Sequence, residues 1–506
     1  VHPVAAPAVQ EEEMSGNTLK CGVPWVSVIA LASLVLAGCA PAEEEAAKKI
    51  PVTTSSPQAL EFYLQGRDLV DKLRITDSRS YFLEAVAEDE SFATAHLALA
   101  NTAPTQTELF DALEHAIAVA DEVSEGERLM IGAREAQAKG EGAVQRERLE
   151  ALVAAYPADE RGHALLGNYH LLAQQHEQAI EQYEAAIEIA PDFSAPYNGM
   201  GYAYRFLGRY AEAEQAFKKY IELIPDEPNP YDSYAELLMK MGRFEESIRN
   251  YEKALSYNPN FMPSHVGIGN DYLFVDRPDK ARDSFQRLLE LARDDRERRQ
   301  ARLWMAASYV HEMDRERALE QMRASYAIAE AGDDPVAMSA DLVRIGDILL
   351  YTGSAEQAGP SYREAVDLVR RAELPQEVKE GAERNLLYNE SRVALALGDL
   401  DAARRHAEEY RARIEARGMP AETRRSHELA GRIALQEKDW RRALAEFEQA
   451  DQQNPIMLCL MAKAWQELGD ETKARDLVER AANFNAIAFN YAFVRSKACK
   501  MLEELQ

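Results

Sequence analysis

Four prolines stand at one fixed interval: Pro157, Pro191, Pro225 and Pro259 follow each other 34 residues apart. A repeated period of that length restricts the fold more than composition can. It asks for one supersecondary unit several times over rather than a single closed globule. Other positions keep the register. Ala179, Ala213 and Ser247 form one series, and Tyr183, Phe217 and Tyr251 a second. Gly167, Gly201 and Ala235 form a third, and Leu166, Met200 and Tyr234 a fourth. Small residues at fixed places let two helices approach, large ones fill the space beside the contact, and proline ends a helix that it cannot continue. One such pair cannot bury its apolar face alone, so pairs must stack and share a core. Sustained period-two alternation is missing. The one Asn-Gly pair, Asn198-Gly199, lies inside a repeat helix rather than between strand-like runs.

The unit from Ser194 to Glu227 carries Tyr197, Met200-Gly201, Tyr204, Gly208, Tyr210, Ala213, Phe217 and Pro225, and departs only at Tyr220, where a small residue is usual. This pattern resembles the tetratricopeptide repeat. The resemblance implies an all-α fold, an α-solenoid of stacked antiparallel helix pairs with about 11–12 repeats. Extending the register gives units 59–92, 93–125, 126–159, 160–193, 194–227, 228–261 and 262–295. Beyond 295 the recurring alanine falls at Ala318, Ala358, Ala403, Ala443 and Ala474, at intervals of 40, 45, 40 and 31 residues. Gly353, Gly398 and Gly469 mark the turn between helices there, as Gly208 and Gly242 do earlier. The expected organisation is a regular block over 59–295, a longer-period block over 296–483, and a helix over 484–506 that caps the last exposed face.

The N-terminal residues read as an address. Lys20 supplies a positive charge, Val23 to Leu36 an apolar core too short to span a membrane, and Leu36-Ala37-Gly38-Cys39 closes the segment. That tetrad resembles a bacterial lipobox, which implies cleavage before Cys39 and diacylation of its thiol. Residues 1–38 are then a signal peptide, with 1–13, ahead of Met14, an over-extended start, and 39–58 an acidic tether. The expected location is the cell envelope, lipid-anchored on the periplasmic face or the surface of the outer membrane. Ala40 is not the Asp that favours inner-membrane retention in some bacteria.

With 58 Lys and Arg against 86 Asp and Glu, the net charge is −28, and nucleic acid binding would need a local basic stripe. The best candidate, Arg293 to Arg302, is interrupted by Asp294, Asp295 and Glu297. His163, His170 and His176 occupy positions that the next unit fills with Tyr197, Tyr204 and Tyr210, so they read as packing residues, and no metal is expected. Cys459 and Cys499 read as core cysteines, and a bridge between them is not decided by the sequence. Glycine-rich phosphate loops, nucleophile elbows and paired acid/base carboxylates are missing, so neither catalysis nor a cofactor is expected.

What remains is a surface. The family resemblance implies that the first helix of each unit lines a concave groove, and it places Asn168, Asn198, Tyr202, Arg205, Asp232, Glu236 and Asn270 there. An asparagine amide offers both donor and acceptor to an extended peptide, and Tyr and Arg are the usual anchors of an interface. The expected function is a lipid-anchored envelope scaffold or adaptor that binds protein or peptide partners through this groove. The alternative is an outer-membrane glycan- or solute-binding lipoprotein. Short insertions and only three tryptophans after Trp25 (Trp304, Trp440 and Trp465) speak against it.

Overall fold

The computed structural model describes residues 49–495 and residue 498, and among them every regular element is helical. Twenty-four helices form twelve consecutive pairs. The first three pairs are α1 (Pro57–Asp71) with α2 (Ile75–Glu88), α3 (Ala93–Asn101) with α4 (Gln106–Ala118), and α5 (Glu125–Lys139) with α6 (Gly142–Ala155). Four pairs with helices of 13 and 14 residues follow: α7 (Glu160–Leu172) with α8 (His176–Ile189), α9 (Ser194–Phe206) with α10 (Tyr210–Leu223), α11 (Pro228–Lys240) with α12 (Phe244–Tyr257), and α13 (Met262–Phe274) with α14 (Pro278–Leu291). Longer helices come next: α15 (Asp295–His311) with α16 (Arg315–Ala331), α17 (Pro335–Tyr351) with α18 (Ala355–Arg371), and α19 (Gln376–Leu397) with α20 (Leu400–Ile414). The series closes with α21 (Pro420–Gln436) and α22 (Trp440–Phe447), α23 (Pro455–Glu467) and α24 (Glu471–Ala482), and the single turn α25 (Phe489–Ala492).

One contact explains how six of the twelve pairs close. A Cβ on Gly201 would stand 2.6 Å from the Phe217 ring, and one on Gly167 would stand 2.7 Å from Tyr183. Only a bare Cα lets the first helix lie against the buried ring of the second. The two residues are sixteen apart in both cases, and the same offset recurs in Gly66/Phe82, Gly269/Phe285, Gly346/Tyr362 and Gly431/Phe447. The contact therefore persists past residue 295, where the 34-residue spacing is lost. The extra residues of the later units lengthen helices such as α17 and α21 outside an unchanged junction.

Eleven of the twelve pairs turn through one residue with positive φ. Glycine fills six of these places, among them Gly208 (φ 74°) and Gly353 (φ 86°). Leu73, Gln174, Asp276, Met313 and Lys438 fill the other five. The pair α3–α4 is the exception.

The row of pairs coils until distant parts meet. The Gly142 amide donates to the Arg417 carbonyl (3.0 Å), the Gln174 amide to Asp451 (2.7 Å), and Arg424 to the Ala173 carbonyl (3.2 Å). Near the start, an extended run is pinned to two helix N-termini: the Ile50 amide donates to Asp159 and the Thr53 amide to Glu127, both at 2.8 Å.

In the described part of the expected C-terminal cap, α25 is helical, and so are residues 495 and 498. The segment does two jobs. Phe484 and Val494 pack on Leu477 and Val478 of the last pair, covering its open face. Phe489 and Phe493 join the core of α15 and α17, while Tyr491 enters between α11 and α13 beside Phe274, with ring centroids 4.5 Å apart. The terminal segment thus ties the last pair to pairs that precede it by some two hundred residues. No described helix is long and apolar enough to cross a membrane. Cys39 and its lipobox lie outside the described residues.

Candidate functional site

The sequence places seven groove residues on the first helices of consecutive pairs, and the structure distributes them unevenly. Asn168 on α7 is exposed, and its Oδ1 accepts from the Tyr183 hydroxyl (2.7 Å). Asn198 on α9 is half-buried, with its Oδ1 unpartnered. Tyr202, Arg205 and Glu236 form one cluster across α9 and α11. Arg205 donates to Glu236 at 2.9 Å and lies 4.7 Å from the Tyr202 ring, which meets Phe217 edge-on. Burial, reinforced by the Glu236 charge, keeps the Tyr202 hydroxyl protonated well above its usual range.

Two of the seven are interior. Asp232 is 3 % exposed and accepts from the Ser264 hydroxyl (2.7 Å) of the next inner helix. Asn270 is 1 % exposed and turns its amide back onto the Val266 carbonyl (2.9 Å). Burial, with Glu236 nearby, pushes the Asp232 carboxyl well up. Both residues lie between stacked helices, where they support the wall rather than face the lumen.

The sequence reading did not single out Asp271, Lys240 or an arginine cluster in the later block. Asp271 on α13 is fully buried, and neither carboxyl oxygen has a hydrogen-bond partner. The neighbouring Ser247 hydroxyl donates to the Ala235 carbonyl and offsets only a small part of the effect of burial on Asp271. Burial pushes the Asp271 carboxyl up to about 8, so it holds its proton at neutral pH. Lys240 lies 3.9 Å from the centre of the Phe484 ring, and burial, with Arg205 and Arg480 nearby, pushes its amine down to about 8.

The arginine cluster sits on three successive inner helices. Arg392 on α19 donates to Asp347 on α17 (3.1 Å) and to Asn389 (2.7 Å). Asp347 also accepts from the Tyr362 hydroxyl (2.9 Å) and faces Arg344 at 3.5 Å. Arg392 and Arg425 lie 5.2 and 5.3 Å from the Tyr388 ring. Arg432 pairs with Glu428 (2.8 Å) on α21. No sequence motif announces this cluster, because its members are spread over 80 residues and meet only through the stacking of α17, α19 and α21.

The three histidines take packing places. His163 pairs with Gln182 (2.9 Å) and with the Pro157 carbonyl (3.1 Å), His170 with Gln175 (2.7 Å), and His176 stacks on Phe206. Among the described residues no group of three or more His, Cys, Asp or Glu is arranged to hold a metal ion.

Family models of the tetratricopeptide repeat match residues 170–237 and 228–261, and the chain contains tetratricopeptide repeats. No curated protein matches it. Among solved structures it is similar to the MamA protein, at 21% identity over 33% of this chain and 91% of that one, with a TM-score of 0.29. It is also similar to a thermophilic TPR protein of Thermus thermophilus, at 20% identity over 38% and 99%, with a TM-score of 0.32. With the APC/C hetero-tetramer Cut9–Hcn1 it shares 14% identity over 84% and 76%, with a TM-score of 0.40.

Proposed function

We propose that this protein is a lipid-anchored scaffold of the cell envelope that holds protein or peptide partners on the inner helices of its solenoid. One observation carries the reading. Twelve stacked pairs expose a long run of first-helix side chains, and tetratricopeptide repeats are built as binding scaffolds. Asn168, Asn198 and the Tyr202–Arg205–Glu236 cluster are the partner-facing candidates, with Asp232 and Asn270 beneath them. Leu36 to Cys39 supports the lipid anchor, and through it the envelope location.

Two measurements test the two halves of this reading separately. Cys39→Ser should abolish acyl labelling and move the protein from the membrane fraction to the soluble one. Unchanged partition would remove the anchor. A photo-crosslinking residue at Asn168 should capture a discrete partner in intact cells, whereas one at Glu181 on the outer helix α8 should not. Equal capture at both sites would remove the groove.

A further inference from the structure

The later block contains a chamber with the wrong charge for this protein. A cavity of about 510 Å³ is lined by residues of α17, α18, α19 and α21 together with α4 and α5. Phe110, Val343, Val366 and Leu386 give it an apolar wall. A second cavity of about 240 Å³ shares Arg344, Asp347, Tyr388, Arg392 and Arg425 with it. The first volume is within the range that holds a small organic ligand.

The strip common to both cavities has more guanidinium than carboxylate. Arg344, Arg392 and Arg425 face Asp347 alone, so the local balance is 3 − 1 = +2 in a chain of net charge −28. The one other carboxylate on the larger cavity, Glu377, starts α19, eleven residues or about 16 Å along the helix from Tyr388. Glu428 and Asp451 border the smaller cavity. Glu428 is taken by Arg432, and Asp451 accepts from Gln174. Asp347 is already shared between Arg392 and Arg344. Arg425 donates to the neutral amide oxygen of Asn385 (2.8 Å) and lies beside the Tyr410 hydroxyl, and no carboxylate is paired with it among the described residues. Arg392 is 8 % exposed, and its Nε has no hydrogen-bond partner.

A buried guanidinium donor left unpaired is costly, and the cost falls when an oxyanion accepts from it. The donors are also held in place. Tyr388 carries Arg392 and Arg425 on its ring, and Phe489 of α25 lies 5.5 Å from Arg344. Planar, fixed guanidiniums beside an apolar wall suit an oxyanion that carries a hydrophobic body.

The geometry points to a binding site here for a small organic oxyanion, a carboxylate or a phosphate monoester on an apolar or aryl group. This site lies on later helices than the partner-facing residues Asn168, Asn198, Tyr202, Arg205 and Glu236 named above and does not depend on them.

Phenylacetate and phenyl phosphate are suitable probes, with benzyl alcohol and benzylamine as neutral and cationic counterparts, titrated into the whole chain by calorimetry. At least one oxyanion should bind at least tenfold more tightly than the alcohol or the amine, and the order of the two oxyanions assigns the site to carboxylate or phosphate. The double variant Arg344→Gln/Arg425→Gln should lose at least tenfold in affinity for that probe at an unchanged melting temperature. Arg371→Gln, a substitution of the same kind on α18 outside both cavities, should bind as the parent does. The inference is overturned if neither oxyanion binds more tightly than benzyl alcohol, or if the double variant binds like the parent.

Discussion

The two blocks of the solenoid use one junction and two kinds of interior. In α7, α9, α11 and α13 the inner helices are 13 residues long, and the acids that they bury, Asp232 and Asp271, have no cation beside them. From α15 to α21 the inner helices run to 17 or 22 residues, and each buried acid has its own arginine. Asp341 takes Arg299 (3.0 Å), Asp347 takes Arg392 (3.1 Å) and Glu428 takes Arg432 (2.8 Å). Each added helical turn contributes about 5.4 Å of wall, which gives long paired side chains a surface to lie on. The short inner helices leave room for aromatic rings and for a carboxyl that stays protonated. The small-against-large contact sixteen residues apart is common to both. The difference therefore lies in what the space between stacked inner helices tolerates, not in how a pair closes.

If the C-terminal segment is what joins the two interiors, removing its anchor should have the largest effect. Tyr491 is 1 % exposed and sits among Phe274, Met239 and Tyr251 of the earlier block, while its neighbours Phe489 and Phe493 belong to the later one. Tyr491→Ala should destabilise the protein by about 3–5 kcal/mol, as for other buried aromatic truncations. It should also split the calorimetric melt into two transitions. A single transition at the parent temperature would show that the blocks do not depend on this bridge.

The buried charges should then respond with opposite signs. Arg392→Met leaves Asp347 with the more exposed Arg344 at 3.5 Å, and should cost about 3 kcal/mol in denaturant unfolding, the usual penalty for orphaning one partner of a buried pair. Asp271→Asn should stabilise instead. The folded carboxyl titrates near 8 because it is buried, whereas an unfolded aspartate titrates near 3.9. Between those values the folded state holds the extra proton, so parent stability falls as pH rises from about 4 to about 8 and then levels off. Asparagine removes that slope. At pH 8 the variant should gain about 2 kcal/mol, less than the full linkage because its own amide stays unpaired in the core, and the gain should vanish below pH 4. Parallel curves of stability against pH for parent and variant would contradict a protonated Asp271.

The sequence revealed more about the pairs than about the lumen, for a physical reason. Pro157 to Pro259, Gly201 and Phe217 belong to contacts inside one unit, and a local contact leaves a fixed spacing. The same spacing is present in Gly346/Tyr362 and Gly431/Phe447, so the later pairs were also written in the chain, under a period that no longer measured 34. Groove positions are different. Register puts Asp232 and Asn270 on the inner helix, but their burial depends on how the next helix stacks, as Ser264 does over Asp232. The Arg344–Asp347–Arg392–Arg425 strip has no spacing of its own, and it exists only once α17, α19 and α21 are assembled.

The turns offer the smallest effect and the sharpest comparison, because the backbone demand is the same in both blocks while the residue is not. Gly208 and Gly353 have φ of 74° and 86°, and a Cβ at either would meet nothing within 4 Å. Alanine there should therefore cost only the left-handed backbone penalty, about 1 kcal/mol, and equally in the two blocks. Gln174, with φ 62°, already bears that penalty at the equivalent turn of α7–α8, and its side chain offsets part of it through the hydrogen bond to Asp451. Gln174→Gly should relieve the backbone and lose the contact, for a net change within about 0.5 kcal/mol in the parent. In an Asp451→Ala background, where the contact is already gone, the same substitution should stabilise by about 1 kcal/mol. A gain of equal size in both backgrounds would mean that the Gln174–Asp451 contact between the blocks adds nothing, and that the turn alone sets the energy at this position.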